Sequence, residues 1–324
     1  MFRRFVRTTN GRPLLLAVVG QTATGKSSLA LSLAEYFCGE IISCDSTAVY
    51  RGFDVGTDKV SPSDRRGVQH HLVDVVEPTE SYSAARYGQD AARIAREITA
   101  RQRLPIVVGG SGLYYRALSR GLFPGPGRDP AIRSRLTRVA RGRGVEKLHQ
   151  LLARHDPHSA DRIQSRDEKR LIRALEVYML TGRTLTEHFA STRSPVADYS
   201  ILTVGLCLPG DALRVRIAER VDRQFNCGLI EEVKSLLAKG VPPEAGPLGG
   251  LVYRQVLEYL KGVRGLDATR RLIVKENQRY ARRQLIWFKK EPNLQWIRTP
   301  GEHSDTGESV RRLLDVFATG PTRG

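Results

Sequence analysis

The chain has 324 residues, and 52 Lys and Arg against 34 Asp and Glu leave a formal net charge of +18. Its 40% hydrophobic content excludes a disordered chain, and its longest apolar runs, Leu14–Val19 and Ile106–Val108, fall far short of the roughly 20 residues of a membrane span. Four cysteines without a C-x-x-C pair argue against a disulfide scaffold or a cysteine-rich zinc site, and for a reducing, cytoplasmic setting.

In chain order, Met1–Arg12 carries no acidic residue and is expected to be a disordered basic leader. Leu14–Val19 is strand-like. Ser27–Phe37 is helical, with Leu29, Leu33 and Phe37 spaced for one face. Glu40–Cys44 and His71–Val76 follow as strands, Ser83–Arg101 as a helix, and Leu104–Val108 as a strand ending in Gly109-Gly110. Strands interleaved with helices predict a parallel sheet covered on both faces, an α/β fold. The turn-rich stretch from Phe123 to Pro130 then opens a region with helical pattern only, to about Phe189, and Ser191–Asp198 reads as a second linker. Ile201–Leu208 is a strand again, which returns the chain to the first sheet. The expected organisation is a core of residues 1–122 and 199–324 interrupted by an all-helical insertion, 123–198. Residues 211–290 read as helical, and roughly the last 20 residues as frayed.

The positive charge is clustered. Residues 128–193 hold 15 Lys and Arg against 8 Asp and Glu, and residues 261–290 hold 10 against 2. Such patches favour a polyanionic partner, nucleic acid above all.

Gly20-Gln-Thr-Ala-Thr-Gly-Lys-Ser27 fits G-x-x-x-x-G-K-[ST] between a strand and a helix, the context of a phosphate-binding loop. Its backbone amides, those of Thr22, Ala23, Thr24 and Gly25 among them, can converge on phosphate oxygens. Lys26 supplies a charge, and Ser27 offers a hydroxyl to Mg²⁺. A hydrolysing NTPase would want an Asp at the end of a second apolar strand, but Leu104–Val108 ends in Gly109-Gly110-Ser111. The strand Glu40–Cys44 does end in Asp45, followed by Ser46. A parallel sheet would bring Asp45, Ser111, Lys26 and Ser27 to one crevice. Taken alone, Asp45-Ser46 fits a turn cap better. His70 and His71 are read as structural, because neighbours on a strand face opposite ways.

These motifs resemble the tRNA dimethylallyltransferase family, of bacterial type. Gly20–Ser27 resembles the family's G-P-T-A-S-G-K-T, and Asp45 to Lys59 its D-S-x-Q-V-Y-x-G-x-D-I-G-T-A-K. Further matches, in order, are His70-His-Leu-Val-Asp74, Gly109–Tyr114, Asp156–Ile163, Arg173–Val177, Arg216–Arg220, Gly228–Val233, Tyr253–Gln255 and Tyr280–Phe288. The resemblance spans about residues 13–297. It implies a P-loop NTPase-like fold and transfer of a dimethylallyl group from dimethylallyl diphosphate to N6 of the adenosine 3′-adjacent to the tRNA anticodon. It implies Mg²⁺ with Ser27 as a ligand, the diphosphate on Gly20–Ser27 and Arg220, Asp45 as the base, and Ser111 beside the reacting groups. A carboxylate suits that role, because the adenine amine must lose a proton as the C–N bond forms.

The insertion would hold the anticodon stem-loop, with Arg133, Lys169, Arg170 and Arg173 as contacts. Ser46, Thr47, Ala48, Tyr253, Arg254 and Arg282 are further expected tRNA contacts, and Trp287 is expected in the core. A monomer without membrane association is expected. Ala48 stands where the family often has Gln, Ser111 where it has Thr, and Val252 where it has Gly. Three other readings stay open: prenylation of a free adenine nucleotide, a small-molecule kinase, and a non-catalytic RNA binder.

Overall fold

A computed structural model describes residues 7–298 and 303–319, and the chain divides into two compact units, residues 120–195 and the remainder. The larger unit begins with β1 (Leu14–Gly20), α1 (Lys26–Phe37), β2 (Gly39–Ser43), β3 (His70–His71), α2 (Ala84–Ala100), β4 (Leu104–Gly109) and α3 (Gly112–Ser119). The smaller unit holds α4 (Pro130–Arg143), α5 (Val145–His155), α6 (Pro157–Arg162), α7 (Glu168–Thr181) and α8 (Leu185–Ala190). The larger unit resumes with β5 (Ser200–Cys207), α9 (Gly210–Asn226), α10 (Leu229–Ala238), α11 (Leu251–Leu260), α12 (Leu266–Phe288), β6 (Leu294–Arg298) and α13 (His303–Thr319).

The six strands form one parallel sheet in the order β3-β2-β4-β1-β5-β6. Every residue of β1 and β4 is buried, as expected of continuous apolar runs covered on both faces. Ser43 of β2 pairs in register with Val108 of β4, so both strands end at the same level and deliver Asp45 and Ser111 side by side. β1 ends next to them and leads into the phosphate loop.

The expected third strand, His71–Val76, shrinks to His70–His71. Leu72 and Asp74 take φ of 58° and 56°, which breaks the extended backbone. Of the tail expected to fray, residues 320–324 lie outside the described part, and the rest is helical. β6 adds an edge strand, and α13 buries Val310, Leu314 and Ala318 in the same core as Leu33 and Phe37 of α1. Of the N-terminal leader, residues 1–6 lie outside the described part. Residues 7–12 are ordered: Arg7 bridges Pro13 and the Thr9 amide donates to the Ala318 carbonyl.

The smaller unit has its own core, centred on Leu136, Leu148, Leu152, Leu171 and Leu175. Asp156 organises it from within. Its buried carboxylate caps α6 through the Ser159 amide and accepts from the amide and hydroxyl of Thr186. Thr184 and Glu187 close a capping box at the start of α8. All four cysteines are free. Among the described residues no helix is long and apolar enough to cross a membrane.

Candidate active site

The phosphate loop is shaped by backbone positions that favour few side chains. Gly20 has φ of 125°, and a Cβ there would collide with the Leu206 carbonyl of β5. Ala23 and Gly25 also take positive φ, 61° and 85°. This curls the chain so that α1 starts at Lys26 with no side-chain cap and no acidic residue in its first turn. Its leading amides are therefore open to an anion. The buried Thr24 hydroxyl donates to the Gln21 carbonyl and stiffens the curl.

The loop opens into a cavity of about 390 Å³, lined among others by Thr22, Lys26, Ser27, Asp45, Ser46, Thr47, Ala48, Asp58, Arg220, Tyr253 and Tyr280. Lys26 donates its ammonium to the Gln21 carbonyl. Burial, then the neighbouring Arg220, holds its pKa down at about 7, against the pull of Asp45. Arg220 extends from α9 to pair with Asp58 at 3.2 Å and donates to the Thr22 hydroxyl at 2.7 Å and the Thr57 carbonyl at 3.3 Å. Two cations thus converge on the mouth of the phosphate loop.

Asp45 caps the turn that follows it. Oδ1 accepts from the Thr47 and Ala48 amides, at 2.8 and 3.3 Å, as a turn cap does. Oδ2 has no hydrogen-bond partner among the described residues. Ser111 stands behind: its hydroxyl accepts from the Ser46 amide at 2.9 Å and donates to the Ser46 hydroxyl at 3.2 Å, so it anchors the turn that carries Asp45.

Tyr280 and Asp58 also line the cavity, though sequence reasoning assigned neither of them to the site. Burial and the nearby Asp45 carboxylate push the Tyr280 phenol up to about 12, so it remains a donor at neutral pH. The signal for Tyr280 was its place beside the basic Arg282-Arg283. His70 lines the cavity too, its Nδ1 2.9 Å from the Val68 carbonyl, while His71 reaches the buried Glu40 at 2.7 Å. Among the described residues no three His, Cys, Asp or Glu gather as a metal cluster.

The segment 45–59 also carries architecture. Lys59 is almost fully buried and binds Asp54, Asp74 and the Tyr50 carbonyl. The Glu232 carboxylate of α10 accepts from the amides of Asp54, Val55 and Gly56 and from the Tyr253 hydroxyl. Tyr253, expected as a tRNA contact, is 1% exposed, packs edge-on against Phe53 and borders the cavity. Val252 and Ala48 are both buried and border the cavity. Trp287 is only partly buried, with Arg116 over its ring.

Of the expected tRNA contacts, Lys169 and Arg282 are exposed cations without an ion-pair partner among the described residues. Arg170 is exposed and meets Asp167 at 3.4 Å, and Arg254 meets Glu276 at 3.0 Å. Arg133 and Arg173 are differently placed. Both bind the fully buried Glu176, Arg133 through two nitrogens at 2.7 and 2.9 Å and Arg173 at 2.7 Å. Arg173 also donates to the Pro126 carbonyl. These two arginines, expected as tRNA contacts, hold the helical unit together through Glu176.

Comparison with known proteins shows the family. The IPP transferase family profile matches residues 48–291. A tRNA dimethylallyltransferase of Geobacter sulfurreducens is 43% identical over 286 residues, 88% of this chain and 92% of that protein. One from Thermomicrobium roseum is 43% identical over 309 residues, covering 94% and 93%. Among solved structures, the full-length tRNA isopentenylpyrophosphate transferase of Bacillus halodurans superposes with a TM-score of 0.70 at 34% identity, covering 94% of this chain and 96% of that one. A eukaryotic dimethylallyltransferase acting on tRNA gives 0.77 at 25% identity, covering 94% and 79%.

Proposed function

The chain belongs to the IPP transferase family, and from that premise we propose that it transfers the dimethylallyl group of dimethylallyl diphosphate to N6 of the adenosine 3′-adjacent to the anticodon of tRNA. The observation that carries this reading is that the phosphate loop and Asp45 line one cavity, where the other lining carboxylate, Asp58, is paired with Arg220.

In the proposed reaction the open amides of residues 24–27, Lys26 and Arg220 bind the diphosphate and take up the negative charge that grows on it as the C–O bond breaks. Asp45 Oδ2 accepts the N6 proton as the C–N bond forms, while its Oδ1 is held by the 47–48 amides. The Tyr280 phenol, protonated throughout, adds a donor beside that carboxylate. The donor set fits magnesium, since the Ser27 hydroxyl is a hard oxygen ligand on the cavity wall and the diphosphate would bring more. When bound there, Mg²⁺ would neutralise the leaving group. The target base must leave its stack, at small cost in a single-stranded loop. Lys169, Arg170, Arg254 and Arg282 are the proposed cations for the anticodon stem-loop backbone. The proposal includes a monomer. A tRNA substrate and reduced cysteines fit a cytoplasmic enzyme.

The test is a transfer assay with labelled dimethylallyl diphosphate, Mg²⁺ and either tRNA or AMP. Label in N6-dimethylallyladenosine from tRNA alone is expected. Label on AMP would move the protein to a nucleotide substrate, and label on neither would overturn the reading.

A further inference from the structure

Gln284 lies in the last turns of α12, is 5% exposed, and uses both ends of its amide. Oε1 accepts from the Thr22 backbone amide at 2.7 Å, and Nε2 donates to the Gly110 carbonyl at 3.0 Å. The space it fills requires residue 110 to lack a side chain, since a Cβ there would run into Nε2. One turn earlier, the Ala281 carbonyl accepts from the Gln21 side chain at 3.3 Å. The first half of the phosphate loop is therefore tied at two successive residues to α12, and at one of them also to the end of β4.

This arrangement divides the loop. The Thr22 amide is consumed by Gln284, whereas the amides that open α1 keep no side-chain cap. Without its partner the Thr22 amide would be a buried, unpaired donor, and the backbone there would turn to find another acceptor. Such a turn would pass directly into Ala23 and Gly25, whose positive φ values set the direction of the remaining amides.

We infer that Gln284 is a positioning residue for the diphosphate: it fixes Thr22 against Gly110 so that the second half of the loop presents its amides to the anion. The inference rests on the diphosphate reading of the loop given above. It differs from a packing role in its selectivity. Loss of packing under α12 would weaken both substrates, whereas release of the Thr22 amide weakens the diphosphate and spares the tRNA.

The experiment is calorimetric titration of the full chain with inorganic diphosphate and, separately, with tRNA. Gln284→Met keeps length and volume and removes both bonds, and an about tenfold rise in diphosphate Kd is expected, the scale of one orphaned buried amide. The tRNA Kd should stay within about twofold. Gly110→Ala displaces Gln284 without altering it, and serves equally if Gln284→Met does not fold. Combined, the two changes should cost about as much as either alone, because they break the same link. Unchanged diphosphate binding in Gln284→Met, equal losses for both ligands, or full additivity would overturn the inference. Failure of the unmutated protein to bind diphosphate would instead overturn the function proposed for the loop.

Discussion

Arg220 of the larger unit and Arg133 of the helical unit each meet one carboxylate, but the two carboxylates differ. Asp58, beside Arg220, is a third exposed and opens on the cavity, so its pair with Arg220 borders solvent and a ligand could share the guanidinium. Glu176, beside Arg133, is fully buried and takes bonds from Arg133, Arg173 and the Asp129 amide. Burial alone would raise its pKa, yet those donors hold it at about 2. A sealed carboxylate claims its arginines for the fold, and an open one leaves them available for chemistry.

The largest expected effect tests the open side. Asp45→Ala should reduce transfer by about 10²–10⁴-fold, the usual scale for a lost general base, with tRNA affinity unchanged in a filter-binding assay. Intact transfer would remove Asp45 from the mechanism. On the sealed side, Glu176→Ala should destabilise the helical unit by about 3 kcal/mol, as loss of a buried partner does, measured by denaturant unfolding. Its contribution to stability is present above the ordinary carboxylate range near 4.5 and is lost as pH falls towards 2, since the folded-state pKa is the lower one.

A smaller effect follows from Lys26. With its free-site pKa near 7, it is largely neutral at pH 8 to 9 and must gain a proton to meet a diphosphate. Binding in that range should take up a proton, detected as buffer-dependent heat, and affinity should fall as pH rises above 7. The smallest effect concerns the unpaired surface. Lys169→Ala should weaken tRNA binding a few-fold and reduce the slope of log affinity against log salt by about one.

How much of this was legible in the sequence varies with the physical cause. Apolar runs marked β1, β4 and β5 to within a residue or so, because buried parallel strands leave few alternatives. The strand β6, Leu294-Gln-Trp-Ile-Arg298, is short and mixed in polarity at a sheet edge, and gave little signal. α13 has Val310, Leu314 and Ala318 at helical spacing, but sits among Gly, Ser and Asp residues that suggest a loose tail. At the site, the loop and Asp45 were visible as motifs. The neutralisation of Arg133 and Arg173 was not, since it depends on Glu176 turning inward, and a motif does not separate residues that bind from residues that brace.

The middle position of β1 has a consequence for how the chain is made. β1 pairs with β4 on one side and β5 on the other, and the whole helical unit lies between those two in sequence. On the ribosome the helical unit has all its own core residues before β5 emerges. β1 keeps the edge that β5 covers unpaired throughout that interval, and the face of α1 that α13 covers waits longer still. Assembly of the catalytic half therefore waits on the most distant contacts in the chain, and its nascent form is the stage most exposed to mispairing.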